Sequence, residues 1–81
     1  MLFRSDPLLA ADALTLPPSP LSPREADVLA AAGEDRPVRE VARRLHLSAG
    51  TVRNHLSAAA GKLGVQGRAA AYRSAREQGW I

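Results

Sequence analysis

From Ser22 onward the apolar positions recur at the three- and four-residue spacing of one buried helical face, and four such runs follow one another. The first opens with Ser22, Pro23 and Glu25, an N-cap, a proline in the first turn and an acid three residues on, which together predict a capping box. Val28, Leu29 and Ala32 form its stripe, and Gly33 closes it. A second helix is expected from about Pro37 to Leu45, with Val38, Val41, Ala42 and Leu45 inward and Arg39, Glu40, Arg43 and Arg44 outward. Either Asp35 or Pro37 marks its start. The third run, about 49–63, follows Ser48 as N-cap and ends at Gly64. Its inward stripe is Val52, Leu56, Ala59, Ala60 and Leu63, which leaves Gly50, Arg53, Asn54, Ser57 and Gly61 outward. A fourth helix is expected between Gly67 and Gly79, with Ala71 and Ala75 repeating at i and i+4, and with Trp80 and Ile81 folding back as a lid.

Upstream the pattern changes. Asp6 to Leu14 reads as a short helix with Pro7 in its first turn, and the cluster Pro17, Pro18, Pro20 and Pro23 then forces extended chain. Residues 1–20 therefore read as a connector helix and linker, and residues 21–81 as the folded domain. Alternating β-type segments are missing from the sequence, so the fold class is all-α.

Composition narrows the chemistry. An 81-residue chain has room for one small domain, and its three aromatics and sixteen alanines make a modest core. Without cysteine it has neither disulfides nor thiolate metal ligands. No apolar run approaches the roughly 18–20 residues of a membrane span. The N-terminus lacks the basic-then-apolar pattern of a signal peptide, so a soluble cytoplasmic protein is expected. The net charge of +3 is unevenly spread. Residues 21–50 balance five arginines against five acids, whereas residues 51–81 set Arg53, Lys62, Arg68, Arg73 and Arg76 against Glu77 alone. Such a block is the footprint expected of a partner for a polyanion.

Two short helices joined through His46-Leu47-Ser48-Ala49-Gly50 suggest a helix-turn-helix, whose second helix enters the DNA major groove. Arg53 can donate bidentately to guanine O6 and N7, and Asn54 can pair with adenine N6 and N7. Ser48, Thr51 and the free amides at the helix start suit phosphates, with His55, Lys62 and Arg68 at the edges. Catalysis is not expected: Glu25, Glu34, Glu40 and Glu77 have no partner at acid/base spacing, and Ser48, Ser57 and Ser74 lack a triad. His46, at the helix junction, suits a packing or capping role rather than a metal, and no cofactor is implied. The rival reading is a helical protein-interaction module that uses the alanine face of the fourth helix and the helix near residues 7–14.

The runs Leu21-Ser22-Pro23-Arg24-Glu25, Glu40-Val41-Ala42, Leu45 through Leu56, and Lys62-Leu63-Gly64-Val65 resemble the LuxR/NarL (GerE-type) DNA-binding domain, at its usual spacing and without a gap. The resemblance implies a four-helix effector domain that binds double-stranded promoter DNA as a dimer on paired half-sites, the third helix reading the groove. By position it implies that Arg53 and Asn54 read bases, with Ser57 making a weaker contact. Thr51, Val52 through its backbone, and Lys62 match phosphate-contacting positions. Glu25 matches a structural position that ties the first helix to the recognition helix. The dimer contact would fall on the fourth helix, at Arg68, Ala71, Tyr72 and Ala75, with the isolated domain weak or monomeric.

The chain departs from that family's pattern at Asp35-Arg36-Pro37, at the small run Ala58-Ala59-Ala60-Gly61, and in its alanine-rich fourth helix. Residues 3–14 are similar to the connector that follows a receiver domain in two-component response regulators, which implies either the C-terminal piece of a longer regulator or a stand-alone form with a residual connector.

Overall fold

Four helices form where the periodicity predicts them, and their ends explain why. The computed structural model describes residues 18–81. The expected helix at 6–14 and most of the proline-rich connector lie outside the described residues. The helices are α1 (Pro23–Ala32), α2 (Val38–Leu45), α3 (Ala49–Leu63) and α4 (Arg68–Gln78). Among the described residues there are no strands.

Helix α1 starts on a complete capping box. The Glu25 amide donates to Ser22 Oγ at 3.1 Å, and the Ser22 amide donates to Glu25 Oε1 at 2.9 Å. Helix α3 starts on Ser48, whose Oγ accepts the Thr51 amide at 3.1 Å. By contrast α2 and α4 begin at Pro37 and Gly67 with no side-chain cap. Pro37, not Asp35, is the N-cap of α2, and its carbonyl accepts the amides of Glu40 and Val41.

Three helices end in one way. His46, Gly64 and Gly79 take the left-handed conformation, and the next residue's amide reaches back five positions: Leu47 to Ala42, Val65 to Ala60, Trp80 to Ala75, at 2.9–3.1 Å. Leu47, Val65 and Trp80 then turn onto the core. His46 does with φ 58° what glycine does at the other two ends, so its role is to close α2.

The core is made of small side chains. Val28, Leu29, Ala32, Val41, Val52, Ala59, Ala71 and Ala75 are wholly inaccessible, and Leu21, Ala42 and Leu56 nearly so. Among the described residues nothing larger than leucine is fully buried, and alanine fills the positions where α1, α3 and α4 meet. Trp80 and Ile81 pack half-buried against this cluster, as the lid predicts.

Polar ties supplement that core. The turn between α1 and α2 is held by Arg36 Nη1, which donates to the Ala31 carbonyl, and by Arg68 Nη1, which donates to the Arg36 carbonyl at 2.7 Å. Arg73 adds a 2.9 Å bridge to Glu34. These contacts anchor the uncapped start of α4 to the α1–α2 turn.

Candidate nucleic-acid interface

Helix α3 owes its position to its inward stripe. Val52, Leu56 and Ala59 are buried and Ala60 and Leu63 half-buried, which turns Gly50, Arg53, Asn54, Ser57 and Gly61 outward to exposed positions. Arg53 and Asn54 stand side by side there, and neither has a hydrogen-bond or ion-pair partner among the described residues. A guanidinium with five donors and a carboxamide with both donor and acceptor are thus presented on one face without internal commitments.

A second tie fixes the far end of α3. Lys62 Nζ donates to Glu25 Oε1 at 2.7 Å, on the same oxygen that accepts the Ser22 amide. Glu25 is nearly buried, and its carboxyl is held below the ordinary value because Lys62, and then the Ser22 amide, stabilise its anionic form. One carboxylate therefore caps α1 and clamps α3 across the domain. This is the structural tie expected of Glu25. Lys62, the ammonium expected to meet a phosphate, spends one of its three N–H donors on this acid while its side chain stays 42% exposed.

The start of α3 corrects the phosphate set. Val52 is fully buried and its amide donates to the Ser48 carbonyl at 3.1 Å, so neither its side chain nor its N–H is left for a phosphate. The Thr51 amide is taken by Ser48 Oγ. That leaves the amides of Ala49 and Gly50 as the first-turn donors without an intrahelical acceptor. Ser48 Oγ in turn donates to Thr51 Oγ1 at 2.9 Å. Ser48 is thus committed to the cap, while the Thr51 hydroxyl keeps its own proton to offer outward. His55 is half-buried on the flank of α3. Arg68 spends one N–H on the Arg36 carbonyl, at the opposite side of the turn.

The expected dimer contact is also redrawn. Ala71 and Ala75 are interior, packed within the domain's own core, and are not available to a second copy. Tyr72 is half-buried, with Arg76 Nη1 donating to its hydroxyl at 3.1 Å and the guanidinium carbon 5.8 Å from the ring centroid. The dimer contact at Ala71 and Ala75 was implied by the family resemblance, and alanine at i and i+4 suits either face of a helix. Only the packing of α4 against α1 and α3 decides it.

One feature escaped sequence reasoning. Arg39, Arg43 and Arg44, read there as the outward side of α2, form an exposed basic patch with Pro37 and Glu40. Arg39 and Arg43 have no partner among the described residues, whereas Arg44 stands 3.9 Å from Glu40. Three arginines within six residues, two of them at i and i+4, were the available signal. No cluster of candidate metal ligands occurs among the described residues, and His46 and His55 belong to different elements.

Comparison with known proteins settles the family. The pattern described as bacterial regulatory proteins, luxR family, matches residues 19–75. The chain belongs to that family. Within the luxR family it is 46% identical over 61 residues to the response regulator RamR of Streptomyces coelicolor. It is 37% identical over 63 residues to the transcriptional regulatory protein DesR of Bacillus subtilis. These matches take in 75% and 78% of this chain but only 30% and 32% of the relatives, so the chain spans about a third of their length. The spore germination protein GerE of Bacillus subtilis is 45% identical over 51 residues, covering 63% of this chain and 69% of GerE. The solved structure of the transcription factor GerE superposes with a TM-score of 0.70 at 33% identity, covering 78% of this chain and 94% of that one. The four-helix, helix-turn-helix domain is thus that of a DNA-binding regulator family rather than of an enzyme family. No helix among the described residues is long and apolar enough to cross a membrane.

Proposed function

We propose that this luxR-family domain binds double-stranded promoter DNA sequence-specifically, with α3 in the major groove. The observation that carries the reading is the exposed, uncommitted pair Arg53 and Asn54 on the outward face of a helix whose opposite face is locked into the core. Arg53 reads guanine and Asn54 adenine, with Ser57 adding a shorter contact on the same line. The Thr51 hydroxyl, the amides of Ala49 and Gly50, and His55 take the adjacent phosphates, where the helix dipole favours negative charge. Helix α2 crosses the sugar-phosphate backbone and offers Arg39 and Arg43 to it.

The relative named as a response regulator, RamR, supports a finer reading: the domain is the C-terminal effector of a two-component regulator, with residues 1–20 as connector. Two copies occupy half-sites about one helical turn apart. With Ala71 and Ala75 interior, the expected contact between copies through α4 is left to Arg68 and Tyr72, so the isolated domain is monomeric.

The test is selection of bound duplexes from a random pool, followed by affinity measured against salt. A recovered motif and an affinity that falls steeply with salt, as counterion release demands, support the reading. Failure to enrich any duplex, with salt-independent capture of a protein partner, would replace it with the interaction module.

A further inference from the structure

Two glycines on α3 have no structural reason to be glycine. Gly50 and Gly61 lie inside the helix, and neither is among the glycines with positive φ. A Cβ built on Gly61 meets nothing within 4 Å, and one on Gly50 meets only Ser48 Oγ at 4.0 Å. Alanine fits both places, and alanine is the better helix former by roughly 0.5–1 kcal/mol. At the Gly64 and Gly79 ends, by contrast, the left-handed turns favour glycine. What such a glycine does supply is a bare stretch of helix backbone, which a partner can approach more closely than any side chain would allow.

Their placement gives that approach a direction. At 100° per residue, Gly50, Arg53, Asn54, Ser57 and Gly61 fall within one arc of about 100°, and the two glycines bracket the reading pair about 16 Å apart. We infer that α3 lies flat along the groove with its own backbone touching the nucleic acid at Gly50 and Gly61, and that these glycines determine specificity by letting Arg53 and Asn54 reach the base edges. This rests on the DNA-binding reading above. Each added side chain stands between the helix axis and the groove wall and lifts both readers together. A tip-first approach, with only the N-terminal end of α3 inserted, would place no demand on Gly61.

The experiment uses the 81-residue chain and its Gly50→Ala, Gly61→Ala and Gly61→Leu variants. The probes are a duplex recovered by the unaltered chain from a random pool and a scrambled duplex of equal length. Gly61→Ala raises the melting temperature by roughly 2–6 °C, since alanine favours the helix and meets no obstacle. Both alanine variants bind the selected duplex roughly fivefold more weakly, and Gly61→Leu tenfold or more, as expected for overpacking at a close contact. The scrambled duplex, held by phosphates alone, changes less. A Gly61→Leu variant that folds normally and binds the selected duplex as the unaltered chain does would overturn the flat geometry while leaving the DNA-binding reading intact. If the unaltered chain recovers no duplex, both fall together.

Discussion

The outward faces of α3 and α4 both present arginine and treat it oppositely. On α4, Arg73 is bridged to Glu34 and Arg76 leans on Tyr72, so the cations are spent within the domain. On α3, Arg53 and Asn54 are spent on nothing among the described residues. A long polar side chain left without partners costs no stability while water solvates it, so the folded state alone does not explain its identity. Net charge therefore separates the proposed DNA-reading face from the rest of the surface less well than uncommitted charge does. The +4 excess over residues 51–81 covers both helices, and only the bonding pattern separates them.

The largest effect expected tests that contrast on the uncommitted side. Arg53→Ala weakens binding to the preferred duplex by about 1–3 kcal/mol and relaxes preference at one base position, while the melting temperature stays put. Competition assays with a permuted set of duplexes measure both. Equal loss on preferred and scrambled duplexes would reassign Arg53 to the backbone and remove the base-reading half of the comparison.

An effect of similar or slightly smaller size tests the interior of α4. Ala75→Leu destabilises the domain by about 1–3 kcal/mol in chemical denaturation, because extra methylenes enter a packed site. Were Ala75 a contact between copies, the same change would leave the monomer intact and strengthen self-association in sedimentation.

This position also shows what the sequence could and could not say. The helices were legible because their punctuation is local: the Ser22 and Glu25 box, the Ser48 cap, and a left-handed closer followed by a hydrophobe at Leu47, Val65 and Trp80. The inward stripe of α3 was legible because branched and polar residues alternate with helical period. Alanine carries no such label, so the inward face of α4 was set by tertiary packing alone. Lys62 was likewise ambiguous: a lysine near a groove and a lysine clamped by an acid 37 residues away look identical in sequence.

The clamp itself yields a pH-dependent prediction. Glu25 ionises more readily in the folded chain than at its ordinary value of 4.5, so it stabilises the fold above that value and ceases to do so as pH falls through the lower folded value. Glu25→Gln keeps the shape but loses the charge. It costs about 1–2 kcal/mol at neutral pH, from the weakened cap and the unmatched Lys62, and flattens the acid limb of the stability curve below that value. Denaturation midpoints at a series of pH values read this directly. An unchanged acid limb would show that Lys62 is free, with all three N–H donors open to a phosphate.

The smallest effect is expected on the committed side. Arg73 and Glu34 stand 2.9 Å apart with side chains 58% and 46% exposed, so water screens the pair and holding both chains in register costs entropy. Arg73→Ala therefore lowers stability by well under about 1 kcal/mol. Its informative readout is the slope of DNA affinity against salt. Because Arg73 belongs to the charge-paired surface of α4, that slope stays as it was, whereas loss of a phosphate-contacting cation lowers it by about one. A drop of that size in Arg73→Ala would mean that the bridge to Glu34 opens on DNA. The internal pairing of α4 would then be a resting state rather than a commitment, and the distinction between the two helices would hold only for the free domain.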